Sequence, residues 1–287
     1  MNISIIGTGL IGSSIALGIR GFQTIILGVD QNKANLSKAL ELGIIDKTTS
    51  LEDAIIESDL IILAIPVDAA REILPNILDG IKESTVVIDM GSTKVGICEK
   101  VRNHPKRAQF VASHPMAGTE NSGPEAALND LFKGKKTIIC EKELSSDEAL
   151  KQARMLYKIL DMDILYMSAK DHDKHISYVS HLTHVIAYAL SLTVLEIEKD
   201  EKTIFEMAGT GFGSTVRIAK SVSEMWVPIF KQNADYLSTS IDEYIKILQK
   251  FKESIENNDT NSLYELIKEA NKIRSVLDKN NMNFNSK

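Results

Sequence analysis

The sequence predicts an α/β protein with a doubly wound sheet of the Rossmann type in its first half and an all-helical second half. Three observations carry this prediction. A glycine-rich turn, Gly7-Thr8-Gly9-Leu10-Ile11-Gly12, joins an apolar run to a helix-like run. Strand-like and helix-like segments then alternate as far as Met167. Beyond that point the alternation stops and only helical periodicity remains.

Asn2-Ile3-Ser4-Ile5-Ile6 reads as a buried strand, and Ser13 to Arg20 carries apolar residues at helical spacing. The glycines fall on the turn between them. Gly7 permits the bend, Gly9 lets the backbone approach a pyrophosphate, and Gly12 lets helix and strand pack closely, with phosphates at the helix N-terminus by Leu10 and Ile11. Thr24 to Val29 is a second strand, and Asp30 ends it. A carboxylate about 20 residues past such glycines hydrogen-bonds a ribose 2′-OH and repels a 2′-phosphate. A Rossmann unit that takes NAD in preference to NADP is the expectation.

Gln31 to Leu42 is helical and stops at Gly43, read as a left-handed cap. Ser50-Leu51-Glu52-Asp53 resembles a capping box, and Leu60 to Ile65 is a continuous apolar run typical of a central parallel strand. A helix over Ala69 to Leu78 follows, then strands over Thr85 to Ile88, Gln109 to Ser113 and Thr137 to Cys140. A helix over Asp147 to Leu160 and a strand over Asp163 to Tyr166 complete the sheet.

Bulk properties narrow the function. The 287 residues suffice for two cores, and 44% hydrophobic with 25% charged residues is ordinary for a soluble globular chain. A net charge of −6 offers no basic footprint for nucleic acid or anionic membrane. The two cysteines, Cys98 and Cys140, lack metal-ligand spacing and read as reduced core residues. No charged leader and no long apolar span is evident, so a cytoplasmic location is expected.

Ligands of doubly wound sheets bind beyond the carboxyl ends of the strands. Ser92 follows one strand end and His114 the next. Singly, each has an ordinary reading, Ser92 as the cap of a helix starting near Thr93 and His114 as a turn residue before Pro115. Together, beside a dinucleotide site, they favour function.

The boundary is placed near Ser168, giving a nucleotide-binding domain over residues 1–168 and a helical domain over residues 169–287. On a helix over Lys170 to Lys199, counting from His172 as zero, Ser180, His184, Ser177 and His181 fall between about 80° and 180°, one face. His172 and His175 lie away from it. His181 and His184 alone make an incomplete zinc site, so no metal is assigned. A polar pocket wall is the favoured reading of this face. Ser214 is read as the cap of a helix from Thr215, with Arg217 in its first turn, where a cation opposes the helix dipole and an anion would relieve it. A substrate carboxylate and a surface Arg–Glu pair fit that position equally well. A long helix from Pro228 to Ile255 and a second after Asp259 carry apolar seams, read as an antiparallel hairpin that serves as core or as a dimer contact. The Asn-rich end after Lys279 is read as frayed.

The turn at Gly7 to Gly12, Asp89-Met90-Gly91-Ser92-Thr93-Lys94, Ser113-His114-Pro115-Met116-Ala117-Gly118-Thr119-Glu120, Ser180-His181-Leu182-Thr183-His184, Gly211-Phe212 and Thr215-Val216-Arg217-Ile218-Ala219 together resemble the prephenate dehydrogenases of tyrosine biosynthesis, the TyrA family. The resemblance implies a Rossmann domain, a helical domain that dimerises, and an active site between them. It implies NAD-dependent oxidative decarboxylation of prephenate to 4-hydroxyphenylpyruvate. By the same resemblance His114 is the base, Ser92 orients the ring hydroxyl beside the nicotinamide, and Arg217 binds a carboxylate. His184, supported by Ser180 and His181, lines the substrate pocket, and Glu120 matches a gating acid. One position departs: Ser214 stands where many members carry an acid, which leaves an ion pair between the Glu120 loop and this region unsupported. With no mutase-like segment before Asn2 and no regulatory domain after the hairpin, a single activity is expected. Arogenate as substrate, a β-hydroxyacid type of dehydrogenase and a non-catalytic NAD-binding protein are the alternatives.

Overall fold

A computed structural model describes residues 1–21, 24–201 and 203–279. The chain begins with β1 (Asn2–Ile6), α1 (Leu10–Gly18), β2 (Ile25–Val29), α2 (Lys33–Glu41), β3 (Lys47–Thr48), α3 (Leu51–Glu57) and β4 (Leu60–Leu63). It continues with α4 (Val67–Gly80), β5 (Val86–Asp89), α5 (Val95–Lys100), β6 (Phe110–Pro115), β7 (Lys136–Cys140), α6 (Asp147–Ile159) and β8 (Asp163–Met167). These strands form one sheet in the order β3-β2-β1-β4-β5-β6-β7-β8, whose sequence order reverses at β1 and β4.

Neighbouring strands are parallel with one exception: β7 runs antiparallel to β6. The connection from Pro115 to Lys136 holds only a short 3₁₀ turn and loop, and without a crossover helix the chain returns in the opposite direction. Alternate side chains of β4 enter different cores. Ile62 packs with Ile5, Ile15 and Tyr157 on one face, and Ile61 and Leu63 with Leu74, Val87 and Phe110 on the other. Each such buried side chain contributes about 1.5–3 kcal/mol of transfer free energy. Cys98 and Cys140 are unpaired in the second of these cores, where burial pushes the Cys98 thiol up to about 12 and raises that of Cys140 further.

The helical segment runs α7 (Ala169–Ile176), a π-helical turn (Ser177–His181), α8 (Leu182–Glu201), α9 (Thr210–Val216), α10 (Ser223–Gln232), α11 (Ala234–Glu256), α12 (Thr260–Ala270) and α13 (Arg274–Lys279). Residues 1–237 form one compact unit, so α7 to α10 pack with the sheet, and a second unit starts at Ser238. The single helix expected from Pro228 to Ile255 is broken at Asn233, whose side chain turns inward to donate to the Asp173 carbonyl at 2.7 Å. The second unit holds α11 from Ser238 onward and α12, the two helices of the expected hairpin. A cleft of about 590 Å³ lies between α11 and α12, lined by Lys250, Glu253, Glu265 and Glu269 among others, and the seam residues Leu248, Ile255 and Ile273 are exposed. The segment after Lys279 lies outside the described residues.

Residues Ala169–Lys199 form a helix long and apolar enough to cross a membrane by length and composition only. Its first turns nevertheless bury His172 and Asp173 against the sheet, while Val179 and Leu192 further along are exposed.

Two glycines fix the first turn. Gly7 has φ +98°, and a Cβ on Gly12 would collide with the Gly7 carbonyl oxygen. A Cβ on Gly9 meets nothing within 4 Å. We therefore expect Gly12→Ala to lower stability by about 1–3 kcal/mol through overpacking, and Gly9→Ala to unfold at the wild-type urea midpoint. Equal midpoints for the two variants would refute this account of the turn.

Candidate active site

Beyond the strand ends of the first unit opens a cleft of about 980 Å³. Gly9, Leu10 and Ile11 reach it from the turn after β1, Ser92 from the loop after β5, and His114 from the end of β6. Glu120 enters from the loop after β6, and Ser180, His184 and Arg217 from the helical segment. Sequence-distant candidates are thus brought to one wall.

The nucleotide end fits a dinucleotide. Helix α1 has Gly9 at its N-cap with no side-chain cap and no acidic residue in its first turn, so its amides and the positive end of its dipole are open to an anion. Asp30 does not line the cleft. Its Oδ2 accepts the Thr8 amide at 2.7 Å and the Thr8 hydroxyl at 2.9 Å, and its Oδ1 accepts the Asn32 amide at 2.8 Å. In the chain by itself the carboxylate thus shapes the glycine turn, and Asn32, Asn35 and Lys38 face the cleft beside it.

His114 is not in a turn. It belongs to β6, paired with Ile138 of β7, so the sheet fixes its backbone. Its Nδ1 lies 2.9 Å from Nε2 of His172, and Nδ1 of His172 lies 2.7 Å from the Asp173 carboxylate. That carboxylate also accepts the amides of Lys94 and Val95, each at 2.8 Å, at the start of α5. The cap of α5 is therefore Asp173 and not Ser92, whose hydroxyl forms no hydrogen bond among the described residues. Behind the site Lys94 is fully buried, ion-paired with Asp89 and donating to the Ser113 carbonyl at 2.7 Å. Burial, followed by the His172, Lys94 and His181 charges, holds the His114 imidazole well below its usual range. Burial also lowers His172, partly offset by Asp173. Both rings are neutral at neutral pH.

His181 stands behind the wall, buried, with its Nδ1 accepting from Asn233 at 3.0 Å and its ring edge-on to Trp226. Burial lowers it to about 4. His184 does face the cleft. Its Nδ1 donates to the Ser180 carbonyl at 3.0 Å, and its ring stacks on Trp226 at 3.5 Å. Ser214 lies inside α9 with its hydroxyl donating to Gly211, which corrects its reading as a cap. Arg217 accordingly sits at the C-terminal end of α9, where the helix dipole favours a cation. It pairs with Glu120 at 2.6 Å, the ion pair left unsupported by Ser214.

Sequence reasoning passes over His172, Asp173 and Trp226. The adjacent pair His172-Asp173 is the available signal, and an ideal helical wheel hides it. A π turn takes up about one extra residue, which turns everything after it back by about 100°. The 120° or so between His172 and His184 thereby shrinks to about 20°, and the two residues fall on one side of the helix. Among the described residues no group of three His, Cys, Asp or Glu is placed to hold a metal ion.

Comparison with known proteins adds an independent line. A family model described as the prephenate dehydrogenase nucleotide-binding domain matches residues 14–166, and one described as the prephenate dehydrogenase dimerization domain matches residues 168–269. The chain is 32% identical over 280 residues to a cyclohexadienyl dehydrogenase of Zymomonas mobilis, covering 96% of both proteins. It is 33% identical to a prephenate dehydrogenase of Lactococcus lactis, over 96% of this chain and 77% of that one. A solved prephenate dehydrogenase of Aquifex aeolicus, in complex with hydroxyphenyl propionate and NAD+, superposes with a TM-score of 0.88 at 34% identity, covering 96% of this chain and 98% of that one.

The buried neutral histidines make stability pH-dependent. Below the unfolded-state value of about 6.5 the unfolded chain binds protons that folded His114, His172 and His181 do not, so stability falls as pH drops. Above that value their contribution is complete and constant. Each histidine adds a slope of up to about 1.4 kcal/mol per pH unit. Urea unfolding between pH 7.5 and 5 should show the decline, and a flat profile would contradict the neutral assignment.

Proposed function

The chain belongs to the prephenate dehydrogenase family, and on that premise we propose that it catalyses the oxidative decarboxylation of prephenate to 4-hydroxyphenylpyruvate. As a family member it is an NAD-dependent dehydrogenase of tyrosine biosynthesis. The observation that supports the finer reading best is the neutral, sheet-held His114 on a cleft that also receives an uncapped helix N-terminus and Arg217.

NAD+, held by the turn at Gly7, Gly9 and Gly12 and the amides of Leu10 and Ile11, with Asp30 shaping that turn, is the hydride acceptor when bound. His114 takes the proton of the ring hydroxyl as C4 acquires carbonyl character and returns it as the ring becomes a phenol. Loss of carbon dioxide from C1 completes aromatisation, so the protein chiefly positions groups and places charge. Ser92, whose hydroxyl has no hydrogen-bond partner among the described residues, orients the ring hydroxyl. Arg217 binds a substrate carboxylate by exchanging or sharing its bond to Glu120, which gives Glu120 its gating character. His184, held flat by Trp226 and by Ser180, lines the pocket around the substrate side chain, with His181 packed behind it.

We divide the labour at residue 168, with residues 1–168 holding NAD and residues 169–287 binding substrate and forming a homodimer, and we place the protein in the cytoplasm. The exposed apolar residues of the helical segment, Val179, Leu192, Leu195 and Met207, and the exposed seam residues Leu248, Ile255 and Ile273 support a dimer. Sedimentation equilibrium should return twice the chain mass, and Leu192→Asp should shift it toward the monomer. A monomeric wild type at micromolar concentration would overturn the homodimer.

The decisive assay follows NADH by absorbance, with prephenate and arogenate offered in parallel, each with NAD and with NADP. Turnover of prephenate with NAD is expected. Turnover of arogenate alone would move the substrate and keep the chemistry. His114→Asn should lower kcat by about 10²–10⁴-fold and leave NAD binding by calorimetry intact. Full activity in that variant would remove His114 from the reaction.

A further inference from the structure

Resting on the proposed activity, we infer that His172, held by Asp173, is a positioning residue that fixes the tautomer of His114 and shares the proton His114 takes up. The chain of atoms is short and fully buried: His114 Nδ1 to His172 Nε2 at 2.9 Å, and His172 Nδ1 to Asp173 Oδ1 at 2.7 Å. Its direction is forced by what each atom can do. The Asp173 carboxylate receives three N–H donors, from His172, Lys94 and Val95, and so is acceptor-only. His172 must therefore carry its proton on Nδ1, which leaves Nε2 as a lone pair. A lone pair at 2.9 Å can only be met by a proton on Nδ1 of His114. His114 Nε2 is then left unprotonated on the residue that lines the cleft. The base is made ready by two residues that touch neither cofactor nor substrate.

The same contacts decide where charge goes. When His114 Nε2 gains the hydroxyl proton, the Nδ1–H bond of His114 can break and an Nε2–H bond form on His172. The positive charge then lies on the ring beside a carboxylate. The reverse shift, as the phenol forms, restores both tautomers, so protons balance over the cycle. The charged and titratable groups around the pair support this order. Burial and Lys94 disfavour charge on both rings, but on His172 the Asp173 hydrogen bond and charge, with Asp89, oppose them, whereas no carboxylate does so for His114. Asn233, which bonds the Asp173 carbonyl and His181, holds the helical side of the arrangement in place.

Two measurements on the full chain test the inference. Long-range ¹H–¹⁵N spectra, with ring signals assigned by their loss in His114→Asn and His172→Gln, should show a protonated Nδ1 and bare Nε2 on both histidines at pH 7.5. A proton on His114 Nε2 would overturn the proposal. This readout needs no turnover, so a wild type that converts neither prephenate nor arogenate would sink the proposed function and leave the inference to be judged by the spectrum. The second measurement is kinetic, on whichever substrate the wild type uses. His172→Leu offers no acceptor and should lose about 10²–10⁴-fold in kcat. His172→Gln offers an amide oxygen that can accept from Nδ1 of His114 but cannot take a proton. It should recover at least about tenfold of that loss with KM little changed. Its acid limb in the kcat–pH profile should lie at lower pH, because the proton no longer has the site beside Asp173. Equal impairment of the two variants with an unmoved acid limb, or no impairment in either, would show that His172 serves only packing.

Discussion

The Asp173 carboxylate is the point on which the site depends. It sits in α7, in the helical segment of the chain, yet its hydrogen bonds reach across to the sheet side. It accepts the first amides of α5 through Lys94 and Val95 and also the Nδ1 proton of its neighbour His172. A helix N-terminus has unsatisfied donors and a partial positive charge, and a buried carboxylate needs donors and positive charge. Each meets the other's requirement. The docking of α7 and the alignment of the His172–His114 pair are therefore one event, and Asn233 secures it from a third element by bonding the Asp173 carbonyl.

Around that point burial itself and a buried cation keep His114 neutral. Lys94 is fully buried but committed to Asp89 and the Ser113 carbonyl. That buried pair ties the ends of β5 and β6 together, the two strands that deliver Ser92 and His114. Its cost in desolvation is offset by the ion pair with Asp89 and the bond to the Ser113 carbonyl, and its field contributes to keeping His114 neutral. At the far wall the arrangement differs. Arg217 and Glu120 are paired in a partly exposed setting, where an ion pair is weak and easily exchanged. The His114 end of the cleft is buried and held by the sheet, and the Arg217 end is partly exposed and adaptable.

What could be read along the chain was whatever depends on near neighbours. The glycine turn, the apolar runs of the strands and the left-handed Gly43 at φ +66° are encoded within a few residues, and the structure realises each of them, whereas Asp30 ends β2 as read but turns its carboxylate to Thr8 and Asn32. Ser92, His114 and His184 were legible as candidates because each follows a strand end or falls on a helical period, and Arg217 as a cation read into a helix's first turn, which the structure places at a helix end instead. His181 was legible as a polar residue on the right helix, but its depth behind the wall was not.

The sequence by itself determined the nucleotide-binding turn, the α/β alternation and the residue types available for chemistry, because steric freedom at glycine and burial of periodic apolar side chains are local requirements. Tertiary structure alone decided the rest. His114 and His172 stand 58 positions apart, Asp173 and Asn233 stand 60 apart, and Glu120 and Arg217 stand 97 apart. The antiparallel β7 and the single extra residue taken up by the π turn are equally invisible to a local pattern. A periodic pattern carries no information about which distant donor will satisfy a buried acceptor. That is fixed only when packing removes water and every polar group must find its partner within the fold.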